Sequence, residues 1–419
     1  MIVYAEYIKQ KNTIFAYYKN QKLENLIEKY YRRLDSVSSD FVRGIADEID
    51  WDARLIGIRG ARGVGKTTLL LQHIKTKLQR DTTSLYVSLD NIWFAENRLV
   101  SLTDRFVKEG GKHLFLDEVH KYPDWSREIK NIYDDHPGLN IVFTGSSLLQ
   151  ILDARADLSR RAVVYEMQGL SFREYLGLIP GISFPVLTLE DILKNHVSIE
   201  RDVNTRVKPL KYFSTYLKSG YYPFFQEVPG LYFNRVEEII NMILEIELPM
   251  LRRVEINSIP KLKKLLQIIA ESVPFIPNIS KLSERTGLNR NTIISYLGYL
   301  EEAHIIKNLY KDAKGITRLQ KPDKIFLENT NLLYAISPFY VNKGNTRETF
   351  FINQIGHDHV VEYAEKGDFR IDGRYVFEIG GSSKSLKQIK GIRESFIVSD
   401  DIEYGSGNRI PLWLFGFLY

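Results

Sequence analysis

Gly60-Ala61-Arg62-Gly63-Val64-Gly65-Lys66-Thr67-Thr68 fits the pattern G-x-x-x-x-G-K-[ST] at every fixed position. Each fixed residue has a chemical reason. Glycines let successive backbone N–H groups turn inward around phosphate oxygens, where a Cβ would stand in the way. A lysine at position 66 reaches the outer phosphates, and the Thr67 hydroxyl offers an oxygen to Mg²⁺. Such a loop works between a strand and a helix, because the helix N-terminus must face the anion. Both neighbours are legible. Arg54 to Arg59 reads as a short buried strand, and Thr67 to Leu78 as a helix, with Leu69, Leu70, His73, Ile74 and Leu78 near helical spacing. The expected ligands are ATP and Mg²⁺, bound through Gly60, Gly63, Val64, Gly65, Lys66, Thr67 and Thr68.

Downstream, His113-Leu114-Phe115-Leu116-Asp117-Glu118 is an apolar run closed by two carboxylates. This is the Walker B pattern of a later strand in the same sheet. Asp117 is expected to hold Mg²⁺ together with Thr67, and Glu118 to orient and polarise the attacking water. Thr144 and Ser146 end the next strand, where a polar group can sense the γ-phosphate. Arg160 and Arg161 stand just before a last strand, where an arginine, in cis or from a neighbouring subunit, would stabilise transition-state charge. Strands at Ser84–Asp90, Leu114–Asp117, Asn140–Thr144 and Arg161–Tyr165 alternate with helices near 98–110 and 126–134. That alternation predicts a parallel sheet with helices on both faces and a ligand at the carboxyl ends of the strands.

Composition narrows the chemistry. The chain has 419 residues, enough for several cores, and no cysteine. Disulfides, thiolate nucleophiles and zinc-thiolate sites are therefore excluded. A net charge of +5 permits a nucleic-acid partner without requiring one. No apolar run approaches transmembrane length, and Met1 to Asn20 lacks the apolar core of a signal peptide. The expectation is a cytoplasmic protein with no membrane partner.

The remaining regions read in order. Residues 1–50 form a helical extension, with Leu23, Leu26, Ile27 and Tyr30 at helical spacing and a second helix over 41–49. Residues 51–170 are the P-loop domain. Residues 171–257 are a helical lid or connector, opened by Ser171 with Glu174 three residues on and holding a long amphipathic helix from Phe233 to Met250. Residues 258–330 have the pattern of a winged helix-turn-helix. Its glycine turn is Thr286-Gly287-Leu288, and Asn289, Arg290 and Asn291 begin the helix that would enter a major groove. Residues 331–419 read as a small α/β unit, with a hairpin turn at Asp372-Gly373 and a helix over 383–389. Glu348, Asp368 and Glu378 there are candidate metal ligands.

The order of the P-loop, Leu116-Asp117-Glu118-Val119-His120, Thr144-Gly145-Ser146-Ser147 and Leu170-Ser171-Phe172-Arg173-Glu174-Tyr175 resembles one prokaryotic family. Its members are AAA-type ATPases of bacteria and archaea that carry a C-terminal domain of unknown function. The resemblance covers most of residues 50–419. It implies Mg-dependent ATP binding and hydrolysis and a homo-oligomer. It also implies a winged helix followed by a restriction-endonuclease-like fold. Nucleases of that fold carry a lysine two residues past the second acid. Position 380 holds glycine instead, so this unit is expected to be inactive unless Lys384 substitutes. The reading is thus an ATPase, with DNA as a partner through the winged helix. The alternatives are a nucleotide-gated protein- or DNA-binding switch with little turnover, and a metal-dependent nuclease.

Overall fold

Strands β1 (Leu55–Arg59), β2 (Ser84–Ser88), β3 (His113–Asp117), β4 (Asn140–Gly145) and β5 (Val163–Glu166) form a sheet in the order β2-β3-β4-β1-β5. Every pairing is parallel. The computed structural model describes residues 24–145, 158, 160–311 and 321–419. Parallel strands need crossovers, and the helices that make them bury both sheet faces. This is why β1, β3 and β4 are near-continuous apolar runs, with Ile56, Ile58, Leu114, Leu116 and Ile141 all at 0% exposure. The flanking helices are α1 (residues 24–36), α2 (Lys66–Lys77), α3 (Leu99–Lys108) and α4 (Trp125–Asp135). The second helix expected over 41–49 is reduced to Ile45–Glu48. Because all five strands point one way, Arg59, Ser88, Asp117 and Gly145 reach the same edge. Register brings Ser88 level with Asp117 and Ile58 level with Thr144.

The chain divides into two compact units. The first runs to Gly60 and resumes over Gly65–Met167, and the second holds Ala61–Val64 and Gln168–Tyr419. In the second unit, α5 (Phe172–Leu178) opens with the expected capping box. Ser171 Oγ accepts from Glu174 N, and the Glu174 carboxylate accepts from Ser171 N, both at 3.2 Å. Helices α6 (Leu189–Arg206), α7 (Pro209–Ser219) and α8 (Tyr232–Met242) follow. The helix expected to run from Phe233 to Met250 is interrupted after Met242 by a π turn over Ile243–Glu247. Pro249 has no N–H to give to the carbonyl four residues back, and the wider turn absorbs that loss.

Next come α9 (Ile259–Ala270), α10 (Ile279–Thr286), α11 (Arg290–Glu302) and the antiparallel ribbon β6 (Ile306–Leu309) with β7 (Lys324–Leu327). The winged-helix pattern also expects a wing turn over residues 311–315, and of these 312–315 lie outside the described residues, as do 316–320. Helices α12 (Thr330–Ile336) and α13 (Lys343–Ile355) lead to a mixed sheet in the order β12-β11-β10-β9-β8. Its strands are β8 (Val361–Tyr363), β9 (Phe369–Ile371), β10 (Tyr375–Gly380), β11 (Ser395–Ser399) and β12 (Arg409–Pro411). The β9–β10 hairpin turns on Asp372 and Gly373 at φ 54° and 68°, the positive values its sequence predicts. The helix expected over 383–389 is a single tight turn, Leu386–Ile389.

A buried ion pair ties α6 to the loop before β12. His196 Nδ1 lies 2.8 Å from Glu200 Oε1, and His196 Nε2 lies 3.0 Å from the Gly407 carbonyl. Both partners can only accept, so the imidazolium is the form that satisfies both contacts. The Glu200 hydrogen bond raises the His196 pKa, against the opposing effect of burial. Stabilisation from a raised histidine is complete below its unfolded value and fades as pH rises through the native value. Urea unfolding of wild type and His196→Ala is therefore expected to differ most near about pH 6 and least near about pH 9. A difference independent of pH would mean that the ring titrates alike in the native and unfolded chains, and one that grew as pH rose would mean that the ring is neutral in the native protein.

Candidate nucleotide site

The loop 60–68 lies between β1 and α2, as its pattern requires. Gly65 is the N-cap of α2 at φ 103°, a conformation that side chains rarely adopt. Lys66 is 5% exposed, and its Nζ donates to the Gly60 carbonyl at 2.8 Å. The lysine is thus folded back along its own loop. Val64 is buried, whereas Thr68 is exposed in the first turn of the helix.

Asp117 is the hub of the site. It is 2% exposed at the carboxyl end of β3. Its Oδ2 accepts from Thr67 Oγ1 at 2.7 Å and from Tyr86 OH at 2.7 Å. Its Oδ1 accepts from the Thr144 hydroxyl and from Glu118 N, the latter at 3.1 Å. Three hydroxyls from three different elements thus converge on one buried carboxylate. The Thr67 proton is committed to Asp117, so the remaining valence of that hydroxyl is an acceptor. An all-oxygen donor set of this kind fits Mg²⁺, a hard cation that prefers oxygen. Thr144, at 0% exposure, also lies 3.4 Å from Glu118 N. Glu118 has φ 53°, a left-handed conformation that costs a non-glycine residue about 1–2 kcal/mol. Its carboxylate lies 3.4 Å from His120 Nε2. Ser146 lies outside the described residues.

Residues 52–176 match the model of an AAA domain. Residues 210–343 match a domain of unknown function, DUF8612. Two uncharacterized proteins of Methanocaldococcus jannaschii are similar to the chain. One is 26% identical over 72% of this chain and 66% of its own length, and the other 25% identical over 79% and 73%. The chain thus spans just under two thirds of the first relative. Among solved structures, a Walker-type ATPase of Pyrococcus abyssi aligns with TM-score 0.40 and 14% identity, covering 69% of this chain and 93% of that one. The Aeropyrum pernix ORC1 protein in complex with DNA aligns with TM-score 0.29 and 15% identity, covering 74% and 92%.

The two arginines just before β5, Arg160 and Arg161, differ in their surroundings. Arg161 makes a two-pronged ion pair with Asp134 on α4, with both contacts at 3.0 Å. Arg160 is exposed. Sequence reasoning missed Tyr86 beside Asp117, and Arg33 behind it. Tyr86, buried at 3% exposure on β2, donates its hydroxyl proton to Asp117 and accepts from Arg33 NH1 at 2.9 Å. Burial, and then the Asp117 charge, push the Tyr86 pKa up, so the hydroxyl stays a donor. The available signal was weak: a lone tyrosine in an apolar strand, two residues before the Ser88 that pairs with Asp117.

The C-terminal sheet gathers the other predicted acids. Burial, and then Asp368, push the Glu348 carboxyl up to about 7, while Lys324 and Lys384 oppose the shift. Asp368 Oδ2 accepts from Ile379 N at 2.7 Å. Glu378 is fully buried and ion-paired with Lys384. The Lys384 stem crosses Gly380, where an added Cβ would meet Lys384 Cγ and Cδ at 2.6 Å. The turn after β10 thus brings Lys384 back to the acid that a lysine at position 380 would have served. Among the described residues, no group of three His, Asp or Glu could hold a metal ion. None of the described helices is long and apolar enough to cross a membrane.

Proposed function

We propose that the chain binds ATP with Mg²⁺ at the 60–68 loop and hydrolyses it. The observation that carries this reading is the 2.7 Å contact between Thr67 Oγ1 and Asp117 Oδ2. It unites the two residues that a P-loop ATPase uses for its metal, although they lie on separate elements fifty residues apart in sequence. Lys66 would leave the Gly60 carbonyl for the outer phosphates when nucleotide enters. Glu118 orients the attacking water, and Thr144 reports on the γ-phosphate. Arg160 is the arginine we assign to the transition state, because Arg161 is already held by Asp134. An arginine offered from a neighbouring copy would make turnover depend on homo-oligomer formation. Phosphate release from purified protein with Mg-ATP tests the assignment. Tight ATP binding with no release above a Lys66→Ala control would favour a nucleotide-gated switch instead.

We assign DNA as a partner through α10 and α11. Helices α9 to α11 followed by an antiparallel ribbon have the order of a winged helix. Asn289, Arg290, Asn291 and Ser295 are exposed along the start of α11. Duplex binding is expected to weaken with added salt and to fall in Arg290→Ala. Affinity unchanged by both would remove this partner.

The third assignment is negative. The Glu378–Lys384 pair occupies the acid that a metal would need, so we assign no nuclease activity to residues 331–419. Incubation with duplex or single-stranded DNA and Mg²⁺ or Mn²⁺ is expected to leave both intact. Nicking by wild type that disappears in both Asp368→Ala and Glu378→Ala would overturn this.

A further inference from the structure

We propose that Tyr86 is a positioning residue for the magnesium-binding carboxylate of Asp117, and that Arg33 on α1 sets Tyr86. The inference rests on the ATP reading above and extends it to the N-terminal helix, where the sequence showed no chemistry. The contacts form one directed chain. Arg33 NH1 donates to Tyr86 OH at 2.9 Å, and Tyr86 OH donates to Asp117 Oδ2 at 2.7 Å. Each link is charge-assisted at one end, by guanidinium or by carboxylate, which makes it stronger than a neutral bond.

Packing alone does not account for the hydroxyl. Tyr86 lies in an apolar strand, and a phenylalanine would fill the same volume. A buried phenol instead needs a partner, and here the partner is the residue expected to serve the metal. Oδ2 is shared between Tyr86 and Thr67, so the angle of the carboxylate depends on both. Ligating carboxylates are commonly held by outer hydrogen bonds, whose loss costs about 10–100-fold in metal affinity.

The other end of the chain is anchored by packing. Leu26, Tyr30 and Leu34 are spaced one helical turn apart on α1, and each is at most 5% exposed. Tyr30 OH lies 3.1 Å from Ser84 Oγ on β2, and its ring centroid lies 6.4 Å from that of Tyr86. Arg33 follows Tyr30 by three residues, on the neighbouring helical position. Docking of α1 on β2 therefore decides whether Arg33 can reach the phenol. The geometry makes this helix a lever on the cation site.

The test measures the Mg²⁺ dependence of binding of a fluorescent ATP analogue to the full chain, together with binding of the same analogue in EDTA. Tyr86→Phe is expected to raise the half-saturating Mg²⁺ concentration about tenfold and to leave metal-free binding unchanged. Arg33→Ala is expected to shift the Mg²⁺ requirement in the same direction by less. The double variant should match Tyr86→Phe alone, because the two residues act through one contact. Thermal melting confirms that each variant is folded, and the exposed Arg33 provides a change outside the core. An unchanged Mg²⁺ requirement in Tyr86→Phe, or effects of the two substitutions that add, would overturn the inference while the ATP reading stands. Wild type that binds no nucleotide with Mg²⁺ would overturn both.

Discussion

Lys66→Ala is expected to lower phosphate release from Mg-ATP by at least about a hundredfold. The ammonium is the fixed cation of the loop, and phosphoryl transfer depends on charge placed where the transition state spreads its own. It donates to the Gly60 carbonyl 2.8 Å away, at 5% exposure. The side chain is thus held inside the loop and does not wander in solvent, so reaching the phosphates requires exchanging one hydrogen-bond acceptor for another within the loop. Alanine removes the charge and leaves a void beside the Gly60 carbonyl. A loss in analogue binding should accompany the loss in turnover, since on the proposed reading the outer phosphates would contact Lys66 in both ground and transition states. Residual turnover above a third of wild type would mean that the phosphates sit elsewhere.

Glu118→Gln should separate binding from chemistry. The residue adds little to ground-state contacts, so nucleotide affinity is expected to stay within a few-fold of wild type. Turnover is expected to fall by about 10²–10⁴, the range for loss of a group that handles a proton in the transition state. The left-handed backbone at φ 53° supports this role. Strain of that kind persists where the surrounding structure over-determines a residue, and here it falls on the residue directly after the buried Asp117. Glutamine keeps the shape of the side chain, but loses the negative charge and the base and puts an NH2 donor in place of one acceptor oxygen. Equal losses in binding and turnover would make Glu118 structural.

The parts of this molecule that were legible in the sequence depend on local rules. The loop 60–68 needs a glycine at position 65 for the positive φ, a strand before it and a helix after it, and all three signals lie within about twenty-five residues. The Asp372-Gly373 turn and the Ser171–Glu174 capping box are of the same kind. What sequence reading missed is the meeting of distant residues. Arg33 and Tyr86 are 53 positions apart, and Tyr86 and Asp117 are 31 apart. No periodicity in the chain marks either contact. The helix expected through Met250 failed for a different reason: the apolar spacing continued across Pro249, and the pattern of side chains does not record a missing N–H. Strand Arg409–Pro411 is only three residues long and includes a proline, which its edge position tolerates.

The crossing of Lys384 over Gly380 has a consequence for how this chain can change. Lysine introduced at position 380 would meet the stem already lying there and set a second ammonium beside the first. As a single step the substitution therefore forces the Lys384 side chain to move, whereas the same residue would fit more easily once Lys384 was short. The reverse order is equally constrained, since loss of Lys384 first leaves Glu378 buried without its cation. The two positions can move only together, or through an intermediate that is less stable than either end. Comparison of relatives should accordingly find the identities at 380 and 384 correlated, with a side chain at the first excluding a long basic residue at the second.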